Sequence, residues 1–401
     1  MTHRFDSIPA VVIGGDLNGL GVVRSLGAAG IGSITLDTSR SHAALWSRYT
    51  KARIVPCLSG RTLIDSLLAL GAEQAERPVL ILTQELAVEA VSRHRDEIAQ
   101  FYRISLPSAE MIESLSDKGR FQELARSLDL PVPQGLVLDS RSDANALGDL
   151  QFPLVLKPIE RAGIETGRIS RAVRCLTLSE AKAAASDYMA NGCRVIAQEW
   201  IAGPDADIFF CLFYAGQDGA LLAKFTGRKI ASTPPLVGST AICVPDWDAA
   251  PEVERLTAEF ARRTIYRGLG GLEFKRDQKT GRMTIVEPTV GRTDMQGEIA
   301  ALSGVNILAA AWAFEQGLPP PALEAPRVKV AWRLSVTHKL PPSEARQGLR
   351  IRDGWFRAND PLPAAVHYSS ALVRRAVTFA GRDGFRFPRT QAASLRKDAG
   401  S

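Results

Sequence analysis

The chain has 401 residues, of which 45% are hydrophobic and 23% charged, a composition typical of a folded globular protein of about two or three domains. Its 49 Lys and Arg against 43 Asp and Glu give a formal charge of +6, without any block of five like charges, which argues against a nucleic-acid-binding arm. No run of about 18 apolar residues is present, so we expect no membrane span. The start of the chain lacks a secretory apolar core, which makes a cytoplasmic protein the default expectation.

The first part of the chain alternates strand and helix patterns. Apolar runs typical of buried strands lie at 10–13, 33–37 and 78–83, and helically spaced apolar residues follow at 17–29 and 62–70. This rhythm predicts a doubly wound parallel sheet over about residues 8–110.

A glycine-rich turn, Gly14-Gly15-x-x-x-Gly19-x-Gly21, follows the first predicted strand. Such a turn before a helix can bind an anion on its backbone N–H groups, and Asp37 at the end of the next strand suits the ribose of a dinucleotide. The spacing departs from Gly-x-Gly-x-x-Gly, however, and Arg24 occupies the place of the third glycine. A tight turn without a nucleotide is therefore the favoured interpretation, with NAD binding as the alternative.

From about residue 116 the pattern changes. A helix is predicted from 116 to 128, and strands follow at 152–158, 194–201, 207–214, 219–226, 268–276 and 282–288, with one helix at 250–266. Many strands with few helices between them predict an α+β region. The tail beyond about 320 is rich in Pro and Arg, and we expect a solvated face there, with contact to an anionic ligand as the alternative.

The segment 268–288 predicts a β-hairpin that turns at Thr280. Glu273 and Lys275 share one face of its first strand because side chains alternate along a strand. Pairing the strands about Thr280 places Glu273 opposite Glu287, and two opposed carboxylates need a cation, a shared proton or solvent. The pair suits Mg²⁺ that bridges substrate phosphates, and a solvated hairpin face is an equally open alternative.

Two further segments suit a nucleotide. Lys157 ends a buried strand before Pro158, so its ammonium can serve a phosphate as a point charge, with a snorkelling surface lysine as the alternative. The strand 198–201 turns at Gly203-Pro204, and such an edge can read a base with its main chain while Asp205 holds ribose hydroxyls. A strand that simply ends in a turn is the alternative.

In their order along the chain, these features resemble the ATP-grasp superfamily, and within it the carboxylate–amine ligases of the D-aspartate ligase-like branch. The resemblance covers about residues 10–320, and each motif is weak alone. The matching segments are Ser-Asp-Lys at 116–118, Leu-Pro-Val-Pro at 130–133, Pro-Leu-Val-Leu-Lys-Pro at 153–158, Gln-Glu-Trp-Ile-Ala-Gly-Pro-Asp at 198–205, Phe-Thr-Gly-Arg-Lys at 225–229, Pro-Pro-Leu-Val-Gly at 234–238, Gly-Leu-Glu-Phe at 271–274 and Val-Glu-Pro-Thr at 286–289.

The resemblance implies a fold class and a domain division. The fold is an α/β N-terminal domain with a doubly wound parallel sheet, followed by an α+β ATP-grasp fold. The division is a Rossmann-like domain at 1–115, a small ATP-grasp lobe at 116–192, a large lobe with the metal site at 193–320 and an Arg-rich C-terminal extension at 321–401.

The resemblance also implies an activity. A carboxylate–amine ligase uses ATP and Mg²⁺, or Mn²⁺ in its place, to join a small-molecule carboxylate to an amine through an acyl phosphate, and it releases ADP and phosphate. A homodimer is implied as well. The alternatives are an ATP-grasp enzyme of another chemistry, such as a carboxylase or a purine-type ligase, and a non-catalytic nucleotide-binding protein.

The resemblance assigns roles to particular residues. It implies α- and β-phosphate contacts from Lys118 and Lys157, an adenine pocket lined by Gln198, Glu199 and Ile201, and a ribose contact from Asp205. It implies metal ligation by Glu273, Glu287 and Thr289, a γ-phosphate contact from Lys229 or Arg228, and stabilisation of the reacting centre by Arg292.

Two departures from the family pattern bear on the metal and the phosphates. Thr289 stands where the usual Glu-x-Asn motif has Asn, so the number of bound Mg²⁺ ions is open. The phosphate-covering loop, expected at 162–168, has only two glycines, and Arg168 or Arg171 would supply its positive charge.

Overall fold

A computed structural model of the protein describes residues 8–160, 169–320, 328–345 and 348–369. Within these ranges the strands form three sheets of four, four and seven strands. The expected phosphate-covering loop at 162–168 lies outside the described residues, as does much of the Arg-rich tail.

The N-terminal sheet is parallel throughout, in the order β3-β2-β1-β4. Its strands are β1 (Ala10–Ile13), β2 (Ser33–Asp37), β3 (Thr50–Ile54) and β4 (Val79–Leu82). The accompanying helices are α1 (Leu17–Ala28), α2 (Gly60–Ala72), α3 (Glu85–Arg93) and α4 (Arg95–Phe101), with a 3-10 turn at Ala43–Trp46. The predicted doubly wound sheet is confirmed. Strand β3 was not predicted, because this edge strand exposes much of its surface and carries charged side chains.

The second sheet is small and antiparallel, in the order β5-β8-β6-β7. Its strands are β5 (Gly135–Leu138), β6 (Leu154–Pro158), β7 (Val173–Cys175) and β8 (Val195–Glu199). Helices α5 (Ala109–Ser116) and α6 (Lys118–Ser127) precede it, and α7 (Leu178–Ala190) and a 3-10 segment (Arg141–Asp149) pack on it. Strand β8 belongs to this sheet, whereas the expected boundary at 192/193 assigns it to the large lobe. The four-part domain division stays a prediction.

The third sheet has the order β13-β12-β9-β10-β11-β14-β15, antiparallel except for the parallel pair β14–β15. Its strands are β9 (Ile208–Ala215), β10 (Leu221–Thr233), β11 (Ser239–Pro245), β12 (Gly268–Arg276), β13 (Met283–Val290), β14 (Val330–Arg333) and β15 (Arg350–Asp353). Its helices are α8 (Ala250–Arg263), α9 (Glu298–Leu302), α10 (Ile307–Gln316) and α11 (Pro342–Ala345), with a 3-10 turn at Asp205–Asp207 and a further helical stretch at 362–369.

Two expectations about this sheet were too narrow. The strand expected at 219–226 continues to Thr233, and the C-terminal extension supplies strands β14 and β15, which were not expected, with Arg350 and Arg352 exposed on β15. The extension is held because Trp332 on β14 is fully buried and packs with apolar residues of α1 and β10.

The N-terminal sheet and the large sheet share hydrophobic packing with the N-terminal helices, whereas the small sheet has a cluster of its own. One cluster runs from Ile64 on α2 through Phe121 on α6 to Phe274 on β12, and all three side chains are buried. Burying each such side chain stabilises the fold by roughly 1.5–3 kcal/mol. This packing fixes α6 and the hairpin β12–β13 against the N-terminal domain, on two sides of one cleft.

Candidate functional site

A cleft of about 430 Å³ lies between the small sheet, the large sheet and the N-terminal domain. Ten of the twelve site residues predicted from the sequence line it. They are Lys118, Lys157, Gln198, Glu199, Ile201, Lys229, Glu273, Glu287, Thr289 and Arg292. These residues come from α6 and from five different strands and their loops, so the fold brings together side chains that are far apart in sequence.

The opposed carboxylates lie on the hairpin β12–β13. Glu273 is the direct partner of Glu287, as the pairing about Thr280 predicts, and this expectation is confirmed. A bulge between Glu273 and Phe274 then shifts the pairing by one residue, so Phe274 faces Ile285. The two acids therefore form the last regular pair before the bulge, and both line the cleft.

A buried lysine partners the first of these acids. The Nζ of Lys229 on β10 lies 2.6 Å from Oε2 of Glu273, and the lysine side chain is only 5% exposed. Burial alone would lower the pKa of Lys229, but the attraction of Glu273 outweighs it and, with further carboxylates nearby, raises that pKa above its ordinary value. Lys229 is thus held as a cation beside the carboxylate pair.

The lysine on the small sheet is held by a chain of amides. Lys157 Nζ donates to Oε1 of Gln198 at 3.3 Å, and Gln198 Nε2 donates to Oε1 of Gln122 at 2.8 Å. Gln122 in turn donates to the carbonyl of Pro133 at 2.6 Å. The side chain of Gln198 therefore orients Lys157, a role that sequence reasoning did not assign to it.

The turn after β8 forms another part of the cleft wall. Trp200 and Ile201 line the cleft, and the guanidinium of Arg174 stacks over the Trp200 ring at 4.9 Å from its centroid. The backbone N–H of Trp200 donates to the carbonyl of Pro153, whereas the N–H of Ile201 makes no hydrogen bond within the described ranges. Ile201 therefore offers a backbone donor at the cleft wall.

Two predicted residues lie elsewhere. Asp205 accepts hydrogen bonds from the backbone N–H groups of Ser232 at 2.8 Å and Leu236 at 3.0 Å, so it braces the turn between β10 and β11. Arg228 points to the opposite face of β10 from its neighbour Lys229, because side chains alternate along a strand. There Arg228 pairs with Asp246 at 2.9 Å and with Glu344 at 3.6 Å, and neither Asp205 nor Arg228 lines the cleft.

The N-terminal domain contributes Glu85, a residue that sequence reasoning missed. Arg292 donates to Oε1 of Glu85 at 2.7 Å, and its buried Nε has no hydrogen-bond partner among the described residues. Burial alone would lower the pKa of Arg292, but nearby carboxylates, Asp294 and Glu85 first, raise it above its ordinary value. Glu85 follows β4 at the carboxyl edge of the parallel sheet, where ligand-binding residues of such sheets gather, and that rule is the signal that could have found it.

The donor set at the hairpin fits a hard divalent cation. Glu273, Glu287 and the Thr289 hydroxyl are oxygen donors on adjoining positions of one hairpin, as Mg²⁺ prefers. Within the described ranges, no group of three or more His, Cys, Asp or Glu has the arrangement of a protein-only metal site.

No helix in the same ranges is both long and apolar enough to cross a membrane.

Comparison with known proteins places the fold. No known family profile matches the chain. Among solved structures, the chain is similar to N5-carboxyaminoimidazole ribonucleotide synthetase from Thermus thermophilus, with a TM-score of 0.62 and 19% identity over 84% of this chain and 86% of that one. It is also similar to the biotin carboxylase domain of Hydrogenobacter thermophilus 2-oxoglutarate carboxylase, with a TM-score of 0.62 and 14% identity over 81% of this chain and 73% of that one.

The chain has the ATP-grasp fold. The ATP-grasp architecture implied by the ordered motifs is thereby confirmed. A D-aspartate ligase from Enterococcus faecium is 23% identical to the chain over 318 residues, which is 74% of each protein. The Hydrogenobacter domain was solved as a dimer with MgADP and bicarbonate. The cleft described above lies between the small and the large sheet of this ATP-grasp fold.

Proposed function

We propose that the protein is an ATP- and Mg²⁺-dependent ligase that joins a carboxylate to an amine through an acyl phosphate. The observation that carries the proposal is the meeting of an opposed carboxylate pair, Glu273 and Glu287, with Lys118, Lys157 and Lys229 in one cleft. The ATP-grasp fold and the distant similarity to a D-aspartate ligase support the same activity.

Lysines from both sides of the cleft serve the phosphates in this proposal. Lys118 at the start of α6 and Lys157 at the end of β6 neutralise the α- and β-phosphates as point charges. The ammonium of Lys229 then moves from Glu273 to the γ-phosphate when the nucleotide is bound. The free N–H of Ile201 donates to the base, and Trp200 packs beside it.

Glu273, Glu287 and the hydroxyl of Thr289 would hold Mg²⁺. When bound, the ion would neutralise part of the negative charge of the phosphates. The Thr289 hydroxyl is a weaker ligand than an amide oxygen, so the two carboxylates carry most of this binding.

The reaction has two steps that balance without another reactant. A carboxylate oxygen of the first substrate attacks the γ-phosphorus of ATP, and ADP leaves as the acyl phosphate forms. A neutral amine attacks the acyl carbon, inorganic phosphate leaves, and the nitrogen loses a proton as the amide forms. The unpartnered Nε of Arg292 is the donor that we assign to the oxygen that becomes negative during this second step.

The test measures the release of ADP from ATP in the presence of Mg²⁺ and a panel of amino acids and amines, which are added alone and in pairs. If the protein is this ligase, ADP release needs a carboxylate and an amine together. The rate of release should fall by about 100-fold or more in Glu287→Ala. Glu76→Ala, which alters an exposed acid in a loop of the N-terminal domain, is the control and should match the wild type. ADP release that needs bicarbonate in place of the carboxylate substrate would contradict the ligase and favour a carboxylation.

A further inference from the structure

Lys275 is a buried lysine in the cleft to which sequence reasoning gave no role. It lies on β12 two residues after Glu273 and lines the same cleft, with only 6% of its surface exposed. Burial lowers its pKa below the ordinary value for lysine. An apolar residue of similar length would fill this space without the cost of burying an ammonium group, so the charge needs its own explanation.

The ammonium of Lys275 holds one short piece of backbone. Its Nζ donates to the carbonyl of Gly203 at 2.9 Å and to the carbonyl of Pro204 at 2.7 Å. These residues belong to the segment 200–204, which carries the chain from β8 of the small sheet to β9 of the large sheet. We call this stretch the second crossing segment, and Lys275 attaches it to the large sheet.

The carbonyls that Lys275 binds lie in a turn whose backbone conformation is unusual at Gly203. Gly203 has φ +135°, a conformation that L side chains rarely adopt, and a Cβ there would strike the carboxylate of Asp207. The carbonyls of Gly203 and Pro204 are therefore presented by an unusual turn. Without Lys275, these carbonyls would lose a charge-assisted hydrogen-bond donor.

The same hairpin also holds the segment by which the chain enters the small sheet. Residues 130–134, the first crossing segment, carry the chain from α6 to β5. The backbone N–H of Ile285 on β13 donates to the carbonyl of Pro131 at 2.7 Å, and that of Gln278 in the hairpin turn donates to Ala202 at 3.0 Å. Both crossing segments are thus tied to the hairpin that bears Glu273 and Glu287.

We propose that Lys275 is a positioning residue, which fixes the second crossing segment at a set distance from the carboxylate pair. Trp200 and Ile201, which we assign to the base, belong to this segment, whereas Glu273 and Glu287 face the phosphates. Lys275 therefore fixes the distance between the part of the site that binds the base and the part that binds the phosphates. The nucleotide part of this inference rests on the proposed function.

Two variants test the role. Lys275→Met keeps the length of the stem and removes the donor, and Lys275→Arg keeps a donor. We expect Lys275→Met to weaken ATP and AMP binding by a similar factor of about 10, because the base end is displaced for both, while kcat at saturating ATP changes less than about 3-fold. Lys275→Arg should recover part of the affinity. Lys224→Met on β10, an exposed lysine paired with Glu254 at 3.0 Å, is the matched control.

A measurement without nucleotide separates this inference from the proposed function. Amide hydrogen exchange of the free protein should become faster in residues 199–208 of Lys275→Met, with no change in Lys224→Met. Faster exchange in a protein that binds no ATP would keep the positioning role and overturn the ATP-dependent function. Unchanged exchange together with unchanged nucleotide affinity in Lys275→Met would overturn the inference, and so would a loss confined to kcat.

Discussion

Lys229 and Glu273 form an ion pair in the cleft, with 2.6 Å between Nζ and Oε2. Glu287 lies directly across the hairpin from Glu273, so the lysine lies where two carboxylates would otherwise repel each other. In the proposed reaction, bound Mg²⁺ would replace Lys229 as the positive charge between the two carboxylates. Lys229 therefore balances the charge of the free site.

The first prediction concerns the stability of the free protein. Lys229→Met leaves Glu273 without its partner, and we expect the free energy of unfolding to fall by about 3 kcal/mol, as for other broken buried pairs. Adding Glu273→Gln should restore most of the loss, because the uncompensated charge disappears. Urea denaturation of the two single variants and the double variant measures this. A double variant no more stable than Lys229→Met would contradict the account.

The second prediction concerns the docking of the C-terminal segment. Arg24 on α1 donates to Oδ2 of Asp360 at 3.0 Å and to the carbonyls of Gly354 and Trp355, and the side chains of Arg24 and Asp360 are 4% and 2% exposed. We expect Arg24→Met to lower the free energy of unfolding by about 3–5 kcal/mol, because Asp360 is left buried without its countercharge.

The matched control for Arg24 is Arg120→Met. Arg120 on α6 pairs with Glu113 at 3.4 Å, but its side chain is 61% exposed. Such surface pairs contribute about 0–1 kcal/mol, so the urea midpoint should barely move. Equal midpoints for Arg24→Met and Arg120→Met would show that the buried network does not hold the C-terminal segment.

The third prediction separates two roles for Asp205. The hydrogen bonds to Ser232 and Leu236 give this acid a structural task, so Asp205→Ala should lower the free energy of unfolding by about 1–3 kcal/mol. The preference for ATP over 2′-deoxy-ATP and 3′-deoxy-ATP, measured as the ratio of dissociation constants, should stay as in the wild type. A ratio that falls toward one in Asp205→Ala would return Asp205 to the ribose role that the motif series implies.

The hairpin was the part of the site that local reasoning could reach. Alternation and a turn at Thr280 suffice to place Glu273 opposite Glu287, because both acids belong to two adjacent strands. The bulge beyond Glu273 could not be foreseen, since nothing in the alternation pattern marks one extra residue. The fold class was likewise accessible from the order of the motifs.

Long-range partners were out of reach of the sequence. Glu85 meets Arg292 across 207 positions, and Arg24 meets Asp360 across 336, so no local pattern connects them. Asp205 and Arg228 were drawn from motifs that fit a ligand, yet each finds a partner within the fold that the sequence does not reveal. Short strands such as β14 and β15 carry too few residues for their period to be recognised.

Calorimetric titration of the 401-residue protein with ATP in the presence of Mg²⁺ tests the central claim most directly. We predict binding at one site per chain, about 10-fold or more weaker in Lys157→Met, which removes a phosphate contact. Glu287→Ala should lose the dependence of the affinity on Mg²⁺, while Glu76→Ala matches the wild type. Absence of ATP binding at millimolar concentration, or equal affinities in all four proteins, would contradict the assignment of the cleft to a magnesium–nucleotide complex.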